Sequence, residues 1–156
     1  MPATYAKIME RVREIVKSTT VPYRPDVRFR EVPSGVDIDT FPGPGRRIFE
    51  VLALSVREQM EFVGPRFAMN QMLELVVCYW FDQDHASREV AKEMAGTDGG
   101  YLISSILYPS PERNFHGMCS QILFDVSDLK ERDDRFELSM RFLVGYELEG
   151  CHAYRS

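Results

Sequence analysis

Cysteine and histidine are scarce in this chain, and tryptophan occurs once: 156 residues hold three Cys, three His and one Trp. Cys78, Cys119 and Cys151 contain no CxxC pair and leave no even disulfide framework, which fits free thiols in a reducing compartment. Positive charge is also short. Lys and Arg number 19 against 24 Asp and Glu, for a net charge of −5 and a pI near 5.3, which argues against a general nucleic-acid binder held by a basic surface. No run approaches the ~20 apolar residues of a membrane span. The N-terminus lacks an apolar signal core and passes straight into an amphipathic segment. The expectation is a soluble protein made in a cytoplasm, with no membrane partner.

Catalytic motifs are missing as well. There is no HExxH and no GxSxG. Residues 41–47 have the glycines of a phosphate loop without its length, its terminal Lys-Ser/Thr or a following helix, and read as a rigid Pro/Gly turn. No repeat, low-complexity tract or interdomain linker interrupts residues 1–156. A chain of this size forms one domain and buries about 68–70% of its unfolded surface. Residues 150–156 are expected to be a flexible tail.

What the sequence does have is alternation. From 135 to 148 the even positions are Phe136, Leu138, Met140, Phe142, Val144, Tyr146 and Leu148, while the odd ones are mostly polar or small. Side chains on a strand point alternately to opposite faces, so this is a strand with one buried face. It is long against a mean strand of about 5–6 residues. Either it bends, or it runs past its sheet and pairs with something outside its domain.

The rest of the chain follows in order. Tyr5, Ile8, Met9, Val12, Ile15 and Val16 form one apolar stripe over 4–17, a helix lying on a core. Residues 26–32 read as a short strand stopped by Pro33. The turn-rich loop 34–45 precedes a strand at 47–56 that looks covered on both faces. Residues 57–68 read as a second loop carrying Met60, Phe62, Val63 and Phe67, apolar groups that must fold back or dock on a neighbour. A long strand follows at 69–81. Asp82 and Asp84 offer N-caps for a helix over 85–95, which Gly96 is expected to break, with Asp98 capping a second helix to 107. A strand at 119–126, an acidic turn at 125–134 and the 135–148 strand complete the order α-β-β-β-α-β-β. The fold class is α+β: a twisted, mixed but largely antiparallel sheet of about five strands, with the N-terminal helix and a central helix pair on one face.

Candidate chemistry is thin. His116 and Cys119 (HxxC) with Cys151 and His152 offer four zinc ligands, but adjacent ligands are geometrically poor. His85 beside Asp82 and Asp84 offers an acid–base pair with no nucleophile to complete it. The carboxylates at 125–134 lack the order of a calcium loop. Arg28, Phe29 and Arg30 are the closest approach to a nucleic-acid platform. Each reads more simply as a solvated turn, helix start or short strand. No cofactor, metal or catalytic residue is implied.

The arrangement of elements resembles the tail terminator (tail-completion) proteins of long-tailed, siphovirus-like bacteriophages and phage-derived particles. The resemblance runs through the N-terminal helix, Arg28-Phe29-Arg30-Glu31-Val32-Pro33, Arg47-Ile48-Phe49-Glu50-Val51 and Leu73-Glu74-Leu75-Val76-Val77-Cys78-Tyr79. It continues through Arg88-Glu89-Val90-Ala91-Lys92-Glu93-Met94, Gln121-Ile122-Leu123-Phe124-Asp125-Val126 and the final strand. It implies a non-enzymatic virion subunit that forms a homohexameric ring, caps the tail tube, ends tube polymerisation and serves head–tail joining. The implied partners are further copies of itself, the tail tube protein and a head–tail connector or neck protein, with DNA only as passing cargo. The implied location is the neck end of the tail, and the host cytoplasm during assembly. Phe41, Arg46, Arg47, Arg57, Met60, Phe62 and Phe67, on the loops at 34–46 and 57–68, are the expected protein-interface residues. Another connector protein, a monomeric protein-binding domain and a small His/Asp hydrolase are the competing readings.

Overall fold

Two long strands carry the architecture. In the computed structural model, which describes residues 5–33, 35–40, 45–54, 59–63, 66–108 and 121–149, helix α1 (Tyr5–Ser18) leads to strand β1 (Arg30–Glu31), β2 (Arg46–Ala53), β3 (Gln59–Val63) and β4 (Arg66–Trp80). Helix α2 (His85–Leu107) follows, then β5 (Gln121–Glu131) and β6 (Arg135–Glu149). The fold is α+β. The sheet order is β1-β2-β4-β6-β5, with β3 also on β4, and only β1–β2 is parallel. The central pair β4–β6 is in continuous antiparallel register from Arg66↔Glu149 to Trp80↔Arg135.

Both helices lie on one face. Ile8, Val12, Ile15 and Val16 of α1 and Ala91, Met94, Leu102 and Ile106 of α2 meet Phe49, Val51, Leu73, Leu75, Val77 and Tyr79 in one core. The alternating residues of β6 from Phe136 to Val144 complete it. Each large apolar side chain buried there contributes roughly 1.5–3 kcal/mol against leaving it in water. On the opposite face Val32 and Ile38 cover Ile48 and Cys78, with Val36, Val76 and Trp80 packed around them.

Four expectations need correction. Residues 57–68 are not all loop: Gln59–Val63 forms β3 and pairs with Arg66–Asn70 of β4, so the described residues hold one more strand than the expected order. The helix pair is one 23-residue helix, because the burial of residues on both sides of Gly96 outweighs the roughly 1 kcal/mol that a helical glycine costs. The acidic stretch stays in β5 as far as Glu131, since an edge strand can hold its carboxylates in water. Of residues 26–32 only Arg30 and Glu31 pair as strand. The 150–156 tail lies outside the described residues.

Candidate assembly surfaces and the anchor behind them

The one ion pair that is wholly buried among the described residues joins the bulge of β2 to the middle of α2. Arg47 is the extra residue between Arg46, opposite Tyr79, and Ile48, opposite Cys78. It sits at φ 62°, in the left-handed region, a conformation that costs a non-glycine residue of order 1–3 kcal/mol. The strain is outweighed by saturation of the guanidinium. Nε and Nη2 donate to the Asp98 carboxylate at 2.8 Å each. Nη1 donates to the carbonyls of Arg24 (2.6 Å) and Val27 (2.8 Å), and Nη2 to that of Tyr23 (2.7 Å). All five N–H groups of the fork are therefore used. The Tyr79 hydroxyl donates to Asp98 at 2.6 Å, and its burial beside that carboxylate pushes its ionisation well above 10. Phe29 lies under the guanidinium, 5.4 Å from ring centroid to Cζ. Arg47 thus ties the 23–27 loop, β2, β4 and α2 together.

That placement corrects one expected interface residue. Arg47 and Asp98 are both fully buried, so Arg47 holds the fold together and has no exposed surface to offer a partner. Arg46 is half-buried and donates to the Ser87 carbonyl (3.3 Å) and hydroxyl (2.9 Å) at the start of α2. Phe41 and Arg57 lie outside the described residues. Met60, Phe62 and Phe67 fall in the β3–β4 hairpin, whose backbone pairing is described and whose side chains are not. There Met60 is opposite Met69, itself opposite Tyr146, and Phe62 is opposite Phe67, itself opposite Leu148. These are apolar residues in two alternate rungs across three strands, with the Glu61–Ala68–Glu147 rung between them.

The hairpin belongs to an overshoot. Among the described residues, β2 pairs as far as Leu73 and β5 from Gly145 onward, and the β4–β6 ribbon continues beyond both with β3 on one side. Among the described elements, the substantial neighbour of β3 is β4.

The helix-free face is polar over much of its area. Arg141 Nε meets Glu74 at 3.0 Å, and Arg135 bridges Asp39, Asp134 and Glu137 while lying over Trp80. Glu50 is pushed above its ordinary carboxylate range by partial burial and by nearby Asp37, Asp39 and Glu74.

The β5 edge combines charge with apolar surface. Leu123, Phe124, Val126 and Leu129 are 37–46% exposed, and among the described residues no strand pairs with the outer side of β5.

The other sequence candidates separate. His85, Asp82 and Asp84 are exposed around a shallow surface depression, and Asp84 is engaged as the N-cap of α2 through Ser87 N–H at 2.7 Å. His116, Cys119, Cys151 and His152 lie outside the described residues. Among the described residues no group of three or more His, Cys, Asp or Glu could hold a metal ion, and no helix is long and apolar enough to cross a membrane. Cys78 is buried, which pushes its thiol up to about 12.

The Arg47–Asp98 pair was missed in the sequence because its partners are 51 residues apart and Asp98 read as a cap. No protein-family model matches the chain, and no curated protein matches it.

Proposed function

We propose that this chain is a structural, non-enzymatic subunit of a phage-type tail. It self-assembles into a ring, a hexamer as in the family it resembles, that caps the tail tube, ends tube polymerisation and joins the tail to the head or neck. Its partners are further copies of itself, the tail tube protein and a connector or neck protein, at the neck end of the virion tail. The observation that carries this reading is that, among the described residues, β4 and β6 pair with each other beyond the ends of β2 and β5, with apolar residues in alternate cross-strand rungs. Paired strands that outrun the rest of their sheet leave edges that assembly closes. The net charge of −5 and the carboxylates around Glu50 suit a channel that lets DNA pass rather than holding it.

The test is the double substitution Phe62→Ser, Phe67→Ser, read by light scattering and by capping of purified tail tubes. Loss of assembly with unchanged far-ultraviolet circular dichroism supports the proposal, and intact assembly overturns the assignment of the hairpin. A second reading, a monomeric domain that recruits another protein by strand addition, draws on the open β5 edge. It gains if the wild-type chain neither self-associates nor binds tubes.

A further inference from the structure

The two opposite edges of the sheet carry opposite charge. Residues 5–33, which hold edge strand β1 and helix α1 packed beside it, contain seven Lys and Arg against four Asp and Glu. Residues 121–134, which hold β5 and its turn at the other edge, contain two against five, all seven exposed; Glu131 pairs with Arg88 and Asp134 with Arg135, and Asp125, Asp128 and Asp133 are the remaining carboxylates. Asp125 is the unpaired residue of the β5 bulge between Phe124 and Val126. On the basic side, among the described residues β1 pairs with β2 only at Ile48 and Phe49, and Leu52 further along β2 is 36% exposed.

From this we infer that a second copy of this chain covers β5, docking its basic α1–β1–β2 edge on the acidic β5 edge head to tail. The inference deepens the ring reading, on which it rests, by naming the two surfaces that meet. Charge chooses between the available symmetries. Two β5 edges face to face would oppose acidic surfaces across a two-fold axis, and two α1–β1 edges would oppose basic ones. The unlike edges attract. A contact between two different surfaces is heterologous and generates a closed ring or a filament, never an isolated symmetric dimer. Exposed apolar side chains flank the β5 edge on both faces, Phe124 and Leu129 beside the helices and Leu123 and Val126 on the helix-free side; they supply the apolar part of the contact, and the charges steer encounter and fix orientation.

The test is a charge swap with rescue. Asp125→Lys with Asp128→Lys makes one variant, and Arg24→Glu with Arg30→Glu makes the other. All four positions are exposed, and circular dichroism with urea unfolding verifies that each variant folds like the wild type. By sedimentation velocity at low salt, each variant alone associates about tenfold or more weakly than the wild type, because each now sets like charges against each other. An equimolar mixture regains association, since each altered edge meets an unlike one on the other variant.

A variant that assembles alone as well as the wild type overturns the inference. So does a mixture of folded variants that fails to recover. In both results a wild-type ring would remain, and the ring reading with it, built on other surfaces. A wild-type chain that stays monomeric at its highest soluble concentration overturns the inference and leaves the strand-addition reading. If it also fails to cap tube ends, the ring reading falls too.

Discussion

Replacing Asp98 by Ala would leave the Arg47 guanidinium buried without a counter-charge and would take the acceptor from the Tyr79 hydroxyl. Both Asp98 and Arg47 are fully buried, so solvent does not screen the loss. Removing one partner of a buried pair costs about 3–5 kcal/mol, a large part of the roughly 5–15 kcal/mol that stabilises a typical domain. At this chain length each kcal/mol moves the midpoint by about 2–4 °C, so Tm should fall by about 6–20 °C. Urea unfolding followed by circular dichroism and by the fluorescence of Trp80 measures the change. A second variant separates the ion pair from the rest of the network. Buried pairs replaced by apolar residues are often neutral, but Arg47 also holds the carbonyls of Tyr23, Arg24 and Val27. Arg47→Met with Asp98→Leu should therefore remain destabilised by about 1–3 kcal/mol, since those carbonyls lose their donors. An Asp98→Ala protein within about 1 kcal/mol of wild type would refute the anchor, given that most unremarkable substitutions cost no more than that. Full recovery in the double variant would refute the role given to the loop carbonyls.

Other predictions follow from the same contacts. Cys78 keeps its proton up to about 12 when folded, against 9.0 for a free thiol. The unfolded chain therefore releases that proton first, and stability is unaffected below pH 9 but falls between about pH 9 and 12, by at most about 1.4 kcal/mol per pH unit. Tyr79 steepens the fall above its ordinary value of 10.0. Cys78→Ala should flatten the part between pH 9 and 10 in urea titrations, and an unchanged slope would contradict the burial argument. Gly96→Ala and Gly100→Ala place a methyl group in open space on α2, and each should raise stability by about 0.5–1 kcal/mol in thermal unfolding. Destabilisation by either would mean that the helix needs glycine there. Native Cys78, being buried, should resist alkylation at neutral pH when its peptide is followed by mass spectrometry, and rapid labelling would show that the core opens.

Much of this fold was legible because it rests on periodicity. α1 has one stripe, and β4 and β6 alternate over most of their length, so their positions follow directly from spacing. What was hidden depends on partners distant in the chain. Gly96 signals a break locally, yet Met94, Ala95, Asp98 and Leu102 are buried around it and carry α2 through. β3 is only five residues long and becomes a strand through the edge that β4 offers it. Arg47 looked like a surface cation because nothing beside it announces Asp98. The charge contrast between the two sheet edges was present in the composition of each segment, but only the strand order places those segments at opposite ends.

The self-assembly proposed for this chain can be measured without any variant. It is tested most directly by light scattering of the wild-type protein over a concentration series at low salt, with the same samples imaged by negative stain alone and mixed with tail tubes. The expected result is a closed ring, of six copies as in the family the chain resembles, in free solution or seated on tube ends. A protein that stays monomeric throughout and leaves tube ends bare would contradict it.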